Sequence, residues 1–320
     1  MSRKVVIVDN REEGFELEKK AFASEGAKLE IYNCKDESEL IEAVKEAYIV
    51  IFTSSKFTSE VISNLADCRM LIRYGIGLDN VDLNAAAEKN IYVCNTPDYG
   101  TFAVAEHAFA LLISLVRKLK LIDNNVRNGI WDLNQLVPVH SLRYKTLGIV
   151  GFGSIGRHLS KMAQAFEMNI LISDPYVEDK VEKEFKVTKT SLDDLVIKSD
   201  HISLHAPLNK ETRHLFSKEL FRKMKPSAAI INTGRGGLIN QSDLISALQS
   251  GDLSGAGLDV FETEPLASDN ELLKMSNVVL SPHAAWYTEE SIVNLHQEVI
   301  NNVVGVLRGN KPRNSVNLKG

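Results

Sequence analysis

The chain has 320 residues, 44% of them hydrophobic and 25% charged, with a formal net charge of −5. That length suits one very large domain or two ordinary ones, and the mild acidity argues against a nucleic-acid surface. No apolar run is long enough to span a bilayer, and MSRKVVIVDN at the N-terminus runs straight into a strand-like stretch, leaving no room for a signal peptide. Cys34, Cys68 and Cys94 are far apart and lack metal-ligand spacing, so they read as buried, reduced thiols in a reducing cytoplasm.

The first hundred residues alternate β-type and helical segments. Val5–Val8, Leu29–Tyr32, Ile49–Phe52, Met70–Tyr74 and Ile91–Cys94 are short apolar runs. Between them, Glu12–Glu25 has helical periodicity ended by Gly26, and Asp36–Ala47 carries Leu40, Ile41 and Val44 on one helical face. The alternation predicts a parallel sheet covered on both faces by helices, a flavodoxin-like domain. Asn95–Gly100 is a turn-rich break. Phe102–Lys120 reads as one long helix, apolar on most faces and so needing cover between domains or at a subunit interface. Arg127–Tyr144, with Trp131 and Pro138, is irregular and of a length that often makes an oligomer contact.

Residues 145–174 read KTLGIVGFGSIGRHLSKMAQAFEMNILISD. A buried strand, Leu147–Val150, leads into the G-x-G-x-x-G of Gly151, Gly153 and Gly156. An amphipathic helix over Ser154–Phe166 and a second apolar run, Ile170–Ile172, follow, ending at Asp174. Each part has a task in holding a dinucleotide. Gly151 permits the tight turn, Gly153 admits the pyrophosphate, and Gly156 allows close strand–helix packing. The helix N-terminus offers its N–H groups to the phosphates, and Asp174 would accept from ribose hydroxyls and repel a 2′-phosphate, favouring NAD over NADP.

The alternation then resumes. Ile202–His205, Ala229–Asn232, Ala256–Val260 and Val278–Leu280 read as strands, and Ser217–Met224 and Gln241–Gln249 as helices. A long amphipathic helix, Thr288–Arg308, is expected to return the chain to the first domain. The expected fold is therefore α/β, with two Rossmann/flavodoxin-like doubly wound parallel-sheet domains and a cleft between them. Residues 1–98 plus 288–320 would form a discontinuous substrate-binding domain and residues 99–287 the NAD-binding domain.

Ligands of open α/β sheets bind beyond the strand C-termini, which draws attention to His205, Arg235, Asp259, Glu264 and His283. Arg235, flanked by glycines in Thr233-Gly234-Arg235-Gly236-Gly237, could hold a carboxylate bidentately and polarise a neighbouring carbonyl; a lone surface arginine is the plain alternative. His283 could give a proton to a forming alkoxide, and Glu264 could hold its tautomer. Asp259 could meet a nicotinamide carboxamide or cap a turn. No metal is needed, because arginine and imidazolium supply the polarisation.

The chain resembles the D-isomer-specific 2-hydroxyacid dehydrogenases over essentially its full length. The matching segments are 145–157, SLHAPLNKETRHL at 203–215, MKPSAAIINTGRGGLIN at 224–240, GAGLDVFETEPL at 255–266 and SPHAAW at 281–286. The resemblance implies Arg235 on the substrate, Glu264 rather than Glu262 behind the histidine, and His283 as acid/base. It further implies a dimer, and contacts to NAD from Gly151, Gly153, Ser154, Ile155, Gly156, Asp174, His205, Pro207, Thr212, Thr233, Gly234 and Asp259. The substrate loop would comprise Arg73, Tyr74, Gly75, Ile76 and Gly77, with backbone N–H groups near Gly75–Gly77 meeting the carboxylate and Arg73 a second possible partner; a glycine-permitted turn is the plain alternative. A finer resemblance, of 95–108 and 282–291, is to the C-terminal-binding-protein subgroup, where Trp286 would line the substrate pocket; packing at a hinge is the alternative. Tyr144 stands where related chains commonly have Gly.

The implied activity is NAD-dependent interconversion of a small 2-hydroxy acid and its 2-oxo acid. A 3-phosphoglycerate dehydrogenase is one alternative, mildly disfavoured because no regulatory domain follows the last helix. An NAD-sensing scaffold or corepressor-like protein is another, disfavoured by the intact Arg235, Glu264 and His283 set.

Overall fold

The structure, a computed structural model, describes residues 3–9 and 14–318. The chain divides into two compact units, one of residues 1–100 with 288–320 and one of residues 101–287. Among the described residues no helix is long and apolar enough to cross a membrane.

The first unit is built on β1 (Lys4–Ile7), β2 (Lys28–Ile31), β3 (Ile49–Phe52), β4 (Met70–Arg73) and β5 (Tyr92–Cys94), all parallel in the order β2-β1-β3-β4-β5. The period of two along the strands sorts their side chains onto two covered faces. Val6, Val50, Phe52, Leu71 and Val93 pack under Leu40, Ala43 and Val44 of helix Glu37–Val44. Val5, Ile7, Ile49, Ile51, Met70 and Ile72 pack under Phe22 and under Val299, Val303 and Val306 of helix Glu289–Leu307. The last helix thus completes this unit. Thr288 caps it by accepting from the Ser291 N–H at 3.1 Å.

The first helix is Glu16–Ser24; Glu12 and Glu13, where the sequence places its start, lie outside the described residues. Two helices were not expected, Ser59–Ser63 and Leu83–Glu88. Neither is long enough to show a helical period, and only their caps, Thr58 and Asp82, mark them. Cys68 and Cys94 are buried, with burial pushing both thiols up to about 12, whereas Cys34 is only half-buried.

The second unit carries β6 (Thr146–Val150), β7 (Asn169–Ser173), β8 (Thr188–Lys189), β9 (His201–Leu204), β10 (Ala229–Asn232), β11 (Gly255–Leu258) and β12 (Val278–Leu280). All are parallel, in the order β12-β11-β10-β9-β6-β7-β8. The chain winds outward from β6 to β8, then returns to β9 on the other side of β6. The crevice between β6 and β9 is therefore the topological switch point.

The expected single helix over Phe102–Lys120 is instead two, Thr101–Val116 and Leu119–Arg127, separated where Lys118 turns left-handed at φ 51°. One apolar face of Thr101–Val116 is covered within its own unit, while Phe102 stays 57% exposed. Ala105, Ala108, Leu111 and Leu112 join Leu147, Ile149 and Ile231 of the sheet, together with Leu159 and Ala163 of helix Ser154–Ala165. The expected helix over Ser217–Met224 shrinks to Lys218–Phe221, and the short helices Lys180–Phe185 and Leu192–Lys198 appear unannounced.

Candidate active site

The glycine turn follows β6 at the switch point. Gly151 has φ +88°, and a Cβ there would lie 2.5 Å from the backbone nitrogen of Ala206, in the loop after β9. A Cβ on Gly156 would lie 2.6 Å from the Gly151 carbonyl oxygen, whereas one on Gly153 would meet nothing within 4 Å. The turn is therefore tight where it touches protein and open at Gly153. Helix Ser154–Ala165 begins there with no side-chain cap, which leaves its first N–H groups for an anion.

Asp174 stands just past β7. Its Oδ2 accepts from the Phe152 N–H and its Oδ1 from the Tyr176 N–H, both at 2.8 Å, so the carboxylate also braces the glycine turn. Two polar atoms at neighbouring strand ends, Thr233 Oγ1 and His205 Nδ1, are buried without a hydrogen-bond partner among the described residues. Burial holds the His205 imidazole down at about 4, and its Nε2 lies 2.8 Å from Ser203 Oγ. Thr212 donates its hydroxyl to the Pro207 carbonyl at 2.6 Å. An open glycine turn, an uncapped helix N-terminus and orphaned polar atoms on adjacent strands fit a dinucleotide.

Beyond β10, Asn232 shapes the segment that carries Arg235. It is 1% exposed; its side-chain N–H donates to the Arg235 carbonyl at 2.9 Å, and its oxygen accepts from the Gly234 N–H at 3.0 Å. Sequence reading missed it, although a lone polar residue closing an apolar strand was the available signal. Arg235 itself is half-buried, and its Nη1 donates to the Gly234 carbonyl at 2.9 Å.

His283 Nδ1 lies 2.7 Å from Glu264 Oε2, and Glu264 Oε1 accepts from the Phe261 N–H at 3.0 Å. Burial alone would raise the Glu264 pKa. The hydrogen bonds from His283 and Phe261, with the charges of His283 and Arg235, outweigh burial and hold the carboxyl below its usual value. The carboxylate fixes the proton on Nδ1, and Nε2 is left without a partner among the described residues. Glu262 points elsewhere, to His214 Nε2 and to the Gln241 N–H at 3.1 Å. Asp259, 1% exposed, accepts from Ser281 and from the backbone N–H groups of Ala284 and Ala285. Trp286 is half-buried, its ring edge-on to Tyr287 at 5.6 Å.

In the first unit, the Arg73 guanidinium bridges the loops after β3 and β4, donating to the Thr53 carbonyl at 2.7 Å and to the Gly77 carbonyl. The Gly75 N–H donates to Thr96 Oγ1 at 2.9 Å. The N–H groups of Ile76 and Gly77 make no hydrogen bond to a described residue, so they are the loop's open donors.

A doubly wound sheet with an open glycine turn at its switch point and a carboxylate–imidazole pair beside a half-buried arginine defines a dinucleotide-binding oxidoreductase. The chain belongs to the D-isomer-specific 2-hydroxyacid dehydrogenases. The family's NAD-binding domain matches residues 109–285. The chain is 40% identical over 283 residues to a glyoxylate reductase of Korarchaeum cryptofilum, covering 87% of this chain and 85% of that protein. It is 37% identical over 294 residues to a D-3-phosphoglycerate dehydrogenase of Archaeoglobus fulgidus, covering 92% of this chain but only 56% of the relative. The D-lactate dehydrogenase of Aquifex aeolicus, solved with NAD and lactic acid, superposes with a TM-score of 0.86 at 31% identity, covering 95% of this chain and 96% of that one. None of these three names carries the finer resemblance to C-terminal-binding proteins any further.

Proposed function

We propose that the chain reversibly interconverts a small 2-hydroxy acid and its 2-oxo acid with NAD(H), consuming one proton per 2-oxo acid reduced. The observation that carries this reading is the 2.7 Å contact between Glu264 and His283. A carboxylate on Nδ1 stabilises an imidazolium and aims Nε2–H outward, as proton donation to a forming alkoxide requires. Arg235 would hold the substrate carboxylate and polarise the carbonyl. Bound NADH supplies the hydride. Gly151, Gly153, Ser154, Ile155 and Gly156 would hold the pyrophosphate, and Asp174 the ribose; His205, Pro207, Thr212, Thr233 and Gly234 would line the remainder. The open N–H groups of Ile76 and Gly77 are a second candidate anion-binding element, which Arg73 shapes from within its loop. Trp286 is the candidate determinant of side-chain size.

A homodimer fits the apolar surface of residues 119–137, where Trp131 is 90% and Leu133 79% exposed. Free, buried Cys68 and Cys94 suit a cytoplasmic setting. The test is NADH oxidation against glyoxylate, pyruvate, phenylpyruvate, methylthio-oxobutyrate and phosphohydroxypyruvate. Turnover of one of the first four supports the reading, and preference for the last would make the chain a phosphoglycerate dehydrogenase. Tight NADH binding without turnover of any would point to a scaffold.

A further inference from the structure

His283 is presented on a strained backbone. Its φ is +55°, a left-handed conformation that crowds Cβ against the following carbonyl and that residues other than glycine rarely adopt. Something must hold the turn, and Asp259 does. The His283 N–H donates to the Asp259 carbonyl at 2.8 Å. The carboxylate takes the next two amides, Ala284 on Oδ1 and Ala285 on Oδ2, each at 2.9 Å.

That carboxylate is itself fixed from the side. Ser281 Oγ lies 2.6 Å from Asp259 Oδ1 and His107 Nε2 lies 2.8 Å from Ser281 Oγ. A carboxylate only accepts, so the serine proton points to Asp259, and the serine oxygen must accept from His107 Nε2–H. The serine stands between histidine and acid, and its proton is directed away from the imidazole, so the trio is not a nucleophilic triad. His107 belongs to helix Thr101–Val116, while Ser281 and Asp259 follow β12 and β11. The relay therefore ties the turn bearing His283 to a helix packed on the sheet.

The geometry points to His107 as a positioning residue: through Ser281 it orients the Asp259 carboxylate, which holds the turn that aims His283. The inference rests on the dehydrogenase reading for its effect on rate, but not for its effect on the turn. A displacement of about 1 Å at a reacting group can cost about a hundredfold in rate. Glutamine places a donor N–H where Nε2–H stands; leucine removes it at similar bulk.

The experiment compares wild type, His107→Gln, His107→Leu, Ser281→Ala and the double variant of His107→Leu with Ser281→Ala by steady-state reduction of the best 2-oxo acid, NADH affinity, thermal unfolding, and amide exchange at Ala284 and Ala285. In His107→Leu, kcat should fall about ten- to a hundredfold, with NADH affinity and the KM for the acid within about threefold. His107→Gln should recover most of the rate, and Ser281→Ala combined with His107→Leu should lose little beyond Ser281→Ala alone. Exchange at both amides should quicken in the leucine variant and not in the glutamine one. A purely structural role would lower the unfolding temperature of both His107 variants and leave kcat unchanged. Wild-type rate and exchange in His107→Leu, or an equal loss in His107→Gln, would overturn the proposal. A wild-type chain without turnover would sink the dehydrogenase reading instead, with amide exchange still deciding the role of His107.

Discussion

Glu264 and Glu262 stand two residues apart on one loop, yet their carboxylates serve different partners: Glu264 meets His283 Nδ1 at 2.7 Å, and Glu262 meets His214 and the Gln241 N–H. The first pair acts on the proton the reaction needs; the second fastens the loop to the start of helix Gln241–Ser250.

Isosteric amides at the two positions should therefore part company. Glu264→Gln is expected to lower kcat by about 10²-fold or more while leaving NADH affinity intact, because the imidazolium loses the charge that stabilises it. Glu262→Gln should lower thermal stability by about 1 kcal/mol, the scale of one ordinary hydrogen bond, and change kcat less than about threefold. Equal kinetic losses in both variants would remove the distinction.

Cofactor choice should follow Asp174. Asp174→Asn keeps an acceptor for one of the Phe152 and Tyr176 amides, gives up the other, and removes the charge that repels a 2′-phosphate. The ratio of kcat/KM for NADH over NADPH should fall by about tenfold. An unchanged ratio would place the selectivity elsewhere.

Acid sensitivity should follow His201, at the start of β9 and 7% exposed, whose imidazole is pushed down to about 4, chiefly by burial. Below its ordinary value of 6.5 the unfolded chain takes up a proton there, while the folded chain does not until about 4. Stability therefore rises with pH through that window and is lost as pH falls through it, by up to about 1.4 kcal/mol per pH unit. Urea unfolding of His201→Leu between pH 4 and 6.5 should show a slope flatter by about one proton. His205, shifted the same way, is present in both proteins, so the difference isolates His201.

Tyr144 adopts φ +63° and is 66% exposed, with its ring under the Arg143 guanidinium. That conformation is why glycine suits the position. Relief of about 1–2 kcal/mol of backbone strain opposes about 0.5–1 kcal/mol of added unfolded-state freedom. Tyr144→Gly should thus be neutral to stabilising by about 1 kcal/mol; a loss of more than that in denaturant melts would contradict it.

The sequence carried the fold wherever a physical period was present. Buried strands such as Ile49–Phe52, the amphipathic helix after Gly153 and the cap at Thr288 all leave local marks. Helices of five or six residues, such as Ser59–Ser63, do not complete a pattern, and the break at Lys118 has no proline or glycine to announce it. Arg235, Glu264 and His283 could be named from motif order alone. What each touches could not, because hydrogen bonds such as Asn232 to Gly234 or His107 to Ser281 depend on where turns close. Arg73 shows the difference most clearly: a plausible carboxylate ligand by residue type, it also donates to two backbone carbonyls, Gly77 in its own loop and Thr53 in the loop after β3.

The most direct measurement is the turnover of His283→Ala beside wild type, with NADH binding followed by fluorescence in both. Expected is a wild type that oxidises NADH with a small 2-oxo acid, and a variant slowed by about 10²–10⁴-fold that binds NADH as before. Near-normal turnover in His283→Ala would contradict the assignment of His283 as the proton donor.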